Sequence, residues 1–256
     1  MIKKIKTLIF DLNGTLYEKG IPVEGAIETI SCLRKKGYNL NFVTNTDGRS
    51  ISAVHKKVTD MGFEIRIEEL LTPVSAAKRF IHINQDKTFY LMVDDDLIED
   101  LSEASIDDKS PDYVVIGDFS RKLNYDKINK VFRMIKNGAE IIALSKTLWY
   151  VDVDGHSINT GAFVNMFETA CDKKALLLGK PSNDFLKMAL LRTDSSSEES
   201  MVIGDDLKTD IYGGKSLGAF TVQVKTGVYN QDEVSDEHNK PDFIINNIND
   251  IFKILD

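Results

Sequence analysis

Basic residues are in the minority: 32 lysines and arginines face 40 aspartates and glutamates, for a net charge of -8. A chain of that sign lacks the positive surface that nonspecific binding to a polyanion needs, which excludes nucleic acid as a general partner. Cysteine is scarce as well. The two present, Cys32 and Cys171, have neither metal-ligand spacing nor the density of a disulfide framework, so each is expected to be a small buried hydrophobe. Long hydrophobic runs are missing. The basic opening MIKKIKTLIFDL is cut off at Asp11, too short for a signal peptide or a membrane span, and a soluble cytoplasmic protein without a membrane partner is expected. The four histidines, His55, His82, His156 and His238, lie in separate segments, and none has a partner that suggests zinc or catalysis. Surface or turn positions are expected for them. There is no internal repeat and no low-complexity tract.

What is present is a regular alternation. Leu8–Asp11 is an apolar run ending in an acid, and Asn13-Gly14 is a turn-forming pair behind it. Alone, this fits a capping Asp at a strand-to-helix turn as well as it fits a site. Apolar residues at Ala26, Ile27, Ile30 and Leu33 predict an amphipathic helix over Val23–Lys36. Tyr38–Val43 reads as a strand that stops at Thr44-Asn45-Thr46, and Ser50–Met61 as the next helix. Strand, helix, strand, helix predicts a doubly wound parallel α/β sheet with right-handed crossovers. A second α/β segment follows, then Ala175–Leu178 leads to Gly179-Lys180-Pro181, and Met201–Ile203 leads to Gly204-Asp205-Asp206. Strands at Phe220–Val224 and Phe243–Ile245 and a helix over Ile248–Leu255 close the pattern. The expected domains are a core over 1–76 and 178–256 with an α/β insertion at 77–177.

Four strand ends therefore carry polar groups: Asp11 with Asn13, Thr44 with Asn45, Lys180, and Asp205 with Asp206 and Asp210. Carboxylates converging beside a lysine repel one another strongly unless a cation and an anion share the gap. Hard oxygen donors with no His/Cys set favour Mg2+ over zinc. A phosphate group is the matching anion.

The segments DLNGT, VTN, GKP and GDDLKTD, in that order, resemble the four motifs of the haloacid dehalogenase superfamily, and the resemblance spans essentially the whole chain. The long insertion, with the phrases FVTNT and GKPS, resembles the subgroup with a large α/β cap, which includes nucleotidases and p-nitrophenylphosphatase-like proteins. The resemblance implies a Rossmann-like core with an inserted cap and a small phosphorylated substrate. It makes Asp11 the nucleophile, through an aspartyl-phosphate, and a magnesium ligand. Asn13 would lend its backbone carbonyl to the metal, Thr44 and the Asn45 backbone would hold the phosphoryl oxygens, and Lys180 would offset the charge of nucleophile and phosphate. Asp205 would be the acidic metal ligand, with Asp206 and Asp210 standing behind it. Homo-oligomer formation is compatible with all of this.

Asn13 departs from the pattern, because phosphatases of this superfamily usually carry Asp there to protonate the leaving oxygen and then deprotonate water. An amide cannot exchange that proton. Losing such help lowers the rate by about 10²–10⁴, so weak turnover biased toward good leaving groups is expected. The rival reading is a phosphate-sensing or partner-binding protein that kept the metal site. A haloalkanoate dehalogenase fits less well, since those enzymes need no metal and lack this cap.

Other polar clusters are weaker. Asp94, Asp95 and Asp96 are expected to cap a helix in solvent. Asp152 and Asp154 resemble the start of a calcium loop but lack its spacing and closing Glu, so a hairpin turn is expected. Trp149 and Tyr150, beside Lys146, are candidates for packing within the insertion or for ligand contact.

Overall fold

The computed structural model describes residues 5–152, 155–233 and 240–255, so Asp154 and His238 lie outside the described residues. The chain divides into two compact units. The first comprises Met1–Thr44, Ser52–Leu71 and Lys180–Asp256, the second Asn45–Ile51 and Thr72–Gly179.

In the first unit, Thr7–Asp11 is buried along its whole length, as an unbroken apolar run must be when helices cover both faces of a parallel sheet. Leu8, Ile9 and Phe10 are fully buried; each such side chain contributes roughly 1.5–3 kcal/mol on leaving water. Phe10 stacks on Phe42 of the neighbouring strand at 5.8 Å. The sheet runs Phe243–Ile245, Phe220–Val224, Ser200–Gly204, Thr7–Asp11, Asn39–Val43, Leu70–Leu71, and every neighbouring pair is parallel. Numbered in chain order and read from the Leu70–Leu71 edge, that is 3-2-1-4-5-6, with the reversal between Thr7–Asp11 and Ser200–Gly204. The first crossover helix, Ala26–Lys35, has Glu28 in its first turn and Arg34 and Lys35 in its last, which suits the helix dipole.

The second unit is a parallel sheet in the order Leu176–Leu177, Glu140–Ala143, Tyr113–Ile116, Thr88–Met92, Ser105–Ile106. Its core packs Val114, Ile116, Val131, Ile135 and Phe167 on one side and Val74, Ile81, Phe89, Val115 and Leu144 on the other. Asn45–Ile51 belongs to this unit although it lies far outside the 77–177 insertion. The Ile51 amide donates to Asp100 at 2.8 Å, and Gly48 is packed so closely that a Cβ would meet the Asp118 carboxylate at 2.7 Å. Asp47 is buried with its Oδ2 unpartnered, the Thr160 hydroxyl standing beside it outside hydrogen-bond geometry. Burial pushes the Asp47 carboxyl up to about 7, and the charge of Asp118 adds to the rise.

Several details differ from expectation. Between the first strand and the first helix lies a short antiparallel pair, Tyr17–Glu18 with Ile21–Pro22, which has no counterpart among the expected elements. The closing segment is a 3-10 helix, Ile248–Lys253, pinned by Asn249, which accepts the Thr29 hydroxyl at 2.8 Å. Ser200 is the buried first residue of a strand, one residue ahead of the expected Met201–Ile203. Asp94 caps the 3-10 turn Asp95–Leu97 but is buried rather than solvated, because Arg121 clamps it at 2.7 and 2.9 Å. Cys171 is buried and Cys32 half-buried, both free. His55 is half-buried on a helix and bonded to the Ile65 carbonyl at 2.8 Å. The hairpin Trp149–Asp152 with Gly155–Ile158 forms as expected; its Trp149 and Tyr150 are exposed, while Lys146 pairs with Glu168 at 2.7 Å. Among the described residues no helix is long and apolar enough to cross a membrane.

Candidate active site

In a doubly wound sheet a crevice opens where the strand order reverses, outside the carboxyl ends of the two strands concerned. Here those ends are Asp11 and the Gly204-Asp205 step. Both carboxylates are buried, at 6% and 3% exposure. Lys180, 3% exposed and preceding a cis Pro181, donates through Nζ to Asp11 Oδ1 and, at 2.6 Å, to Asp210 Oδ1. Asp11 Oδ2 has no partner.

A π-helical turn brings Asp210 into this group. Asp206 caps it, its Oδ1 accepting from the Lys208 amide at 2.7 Å, and Leu207–Ile211 then winds wide before the α-helix Tyr212–Leu217. Such wide turns recur at functional positions. Asp210 Oδ2 accepts the Asp206 amide at 3.2 Å, so both of its oxygens are held. Gly204 makes the approach possible, because a Cβ there would collide with the Asp210 carboxylate.

Asp11, Asp205 and Asp210 each bring a carboxylate oxygen within 4.8 Å of the others. Burial raises the pKa of Asp11, opposed by Lys180. Burial and the charge of Asp11 push Asp205 up to about 7, and burial raises Asp210 well above its ordinary value. For Lys180, burial works against the charge, but Asp11 and Asp210 outweigh it and hold the ammonium firmly protonated. Three buried carboxylates against one ammonium leave an excess of negative charge in a dry site, and Asp11 Oδ2 accepts no hydrogen bond. Hard oxygens, surplus charge and an orphaned acceptor fit a divalent cation such as magnesium.

The structure thus unites Asp11, Lys180, Asp205 and Asp210, the last with both oxygens already held by Lys180 and the Asp206 amide. Asp206 serves as a helix cap. Asn13 turns an exposed side chain outward and its backbone bridges to Tyr17. Thr44 is buried just past the carboxyl end of Asn39–Val43, its amide donating to the Leu71 carbonyl at 3.2 Å, and Asn45 begins the second unit.

Further residues touch the cluster without a motif to announce them. Tyr17 is buried, and its phenol is pushed up to about 12 by burial and by the charge of Asp11. The Thr15 hydroxyl donates to Asp205 Oδ1 at 3.3 Å and the Val228 amide to Oδ2 at 2.8 Å. The available signal was the Thr226-Gly227 turn pair behind a buried strand.

Comparison with known proteins agrees with this fold. A profile of haloacid dehalogenase-like hydrolases matches residues 8–107, and a HAD-hydrolase-like profile matches residues 177–251. The mouse haloacid dehalogenase-like hydrolase domain-containing protein 2 is 35% identical over 227 residues, covering 89% of this chain and 86% of its own. Phospholysine phosphohistidine inorganic pyrophosphate phosphatase from Xenopus laevis is 31% identical, over 98% and 94% of the two chains. Among solved structures, a p-nitrophenyl phosphatase from Archaeoglobus fulgidus superposes with a TM-score of 0.91 at 26% identity, covering 99% of this chain and all of that one. Acids at the switch point of a 3-2-1-4-5-6 sheet and kinship over nearly the full length lead to one conclusion: the chain belongs to the haloacid dehalogenase-like hydrolases.

Proposed function

We propose that the chain is a magnesium-dependent phosphohydrolase of a small phosphorylated molecule, with Asp11 as its nucleophile. One observation carries the reading: a buried carboxylate whose Oδ1 is held by Lys180 while its Oδ2 has no partner. Relatives named as phosphatases support it. Lys180 orients Asp11 and offsets part of the charge that gathers when a phosphate enters. An Asp11 oxygen forms a bond to phosphorus as the bond from phosphorus to the leaving oxygen breaks. Water then adds to phosphorus, giving up a proton to solvent, as the bond to Asp11 breaks, and the carboxylate is regenerated. Thr44 and the Asn45 backbone hold the phosphoryl oxygens in this scheme. Magnesium, held by Asp11, the Asn13 carbonyl and Asp205, would supply positive charge to the phosphoryl oxygens. The second compact unit is taken as the cap.

Asn13 sets the rate. With no proton to give, it leaves the departing oxygen to take one from solvent, so acyl and aryl phosphates are the favoured class. Phosphate release in Mg2+ by wild type, Asp11→Asn and Asn13→Asp tests the scheme. Asp11→Asn should abolish turnover and Asn13→Asp should raise it by about 10²–10⁴, and wild type should show a burst of nitrophenolate from p-nitrophenyl phosphate. Turnover surviving in Asp11→Asn would refute the nucleophile.

A further inference from the structure

The tripeptide Thr226–Val228, just past the strand Phe220–Val224, makes three bonds to the site loops. The Thr226 hydroxyl donates to the Gly14 carbonyl, the Gly227 amide to Glu18 Oε1, and the Val228 amide to Asp205 Oδ2 at 2.8 Å. The fit is close. A Cβ on Gly227 would sit 2.6 Å from both Asp205 Cγ and Gly14 Cα, and its φ of +63° suits glycine. Behind Asp205, Gln223 Nε2 donates to the Asp205 carbonyl at 3.0 Å.

We infer that Glu18 is a positioning residue: by anchoring the Gly227 amide it seats the strap Thr226–Val228 so that the Val228 amide occupies Asp205 Oδ2, leaving Oδ1 as the oxygen Asp205 can offer a cation. Glu18 lies on the short Tyr17–Glu18 strand and is exposed, so its carboxylate contributes little to the core and acts through this one bond. A carboxylate limited to one oxygen suits the octahedral, mostly hydrated coordination of magnesium. It disfavours calcium, which takes carboxylates in two-oxygen fashion in larger shells. The strap thereby selects the smaller ion. The weak Thr15 contact to Oδ1, at 3.3 Å, is the bond an incoming cation displaces most easily.

This inference rests on the magnesium reading above, and calorimetric titration of the protein with Mg2+ and Ca2+ alone separates the two. Wild type, Glu18→Gln, Glu18→Ala and Thr226→Val are compared, with thermal melts without metal to confirm folding. Glu18→Ala should weaken Mg2+ binding about tenfold, the lower end for residues that orient metal ligands, and weaken Ca2+ binding less. Glu18→Gln, which keeps an acceptor oxygen, should stay near wild type. Thr226→Val, which frees the strap from Gly14, should move both affinities in the same direction as Glu18→Ala. Unchanged Mg2+ affinity in folded Glu18→Ala overturns this inference alone, whereas no Mg2+ binding by wild type overturns the magnesium reading with it.

Discussion

Asp47 is a buried acid with one oxygen unpartnered and a carboxyl pushed by burial from its ordinary 3.8 up to about 7. The folded state therefore favours the neutral form. Its contribution to stability is whole below about pH 3.8, declines as pH rises toward 7, and is flat above. At 1.36 kcal/mol per pH unit the full effect is roughly 4 kcal/mol. Asp47→Asn removes the ionisation, so the variant should melt above wild type at pH 8 with the gap closing by pH 4; a gap independent of pH would contradict this. Lys180 presents the opposite case, since Lys180→Met leaves Asp11 and Asp210 without their cation. A loss of about 3–5 kcal/mol is expected in urea unfolding at pH 8, shrinking at pH 5 as the carboxylates, whose pKa values are raised, take up protons. The roles of these two residues were unequally legible. Lys180 follows a strand and precedes a proline, which marks it in the chain. Asp47 looks like any polar loop residue, and its burial is set by the fold around it, where Gly117 packs so close that a Cβ there would lie 3.2 Å from the Asp47 carbonyl oxygen.

Among the elements, the π-helical turn Leu207–Ile211 decides where Asp210 lands. Its position depends on Gly204, whose missing side chain leaves room for the Asp210 carboxylate. Gly204→Ala needs no unusual φ, so its effect is purely steric. It should destabilise by about 1–3 kcal/mol and abolish phosphate release together; urea titration and a phosphate assay on one preparation check it, and full activity in the variant would show that Asp210 can move without consequence. Element types were readable from apolar runs and periodicity, as the strands Phe220–Val224 and Phe243–Ile245 and the helix Ala26–Lys35 show. The short pieces were not. Leu70–Leu71 and Ser105–Ile106 are two residues each, too short for any period to register, and they are strands only because a neighbour supplies the hydrogen bonds.

For the whole molecule, the surplus of buried negative charge predicts linkage between cation binding and folding. Mg2+ at about one hundred times its dissociation constant should stabilise the protein by roughly 2.7 kcal/mol, visible as a higher melting temperature that EDTA reverses and that Asp11→Asn reduces. No shift in wild type would argue against a cation at Asp11, Asp205 and Asp210. By itself the amino-acid order determined the longer strands, the polar residues at four strand ends, and the kinship those residues carry, because apolar runs and turn pairs are local properties of the chain. Tertiary structure alone decided that Asp210 joins Asp11 and Asp205, that Asn45–Ile51 packs with the second unit, and that Glu18 and Val228 reach the site from opposite ends of the chain. Those outcomes depend on close approach between segments some two hundred residues apart in the case of Glu18 and Gly227, and no pattern along the chain encodes a distance in space.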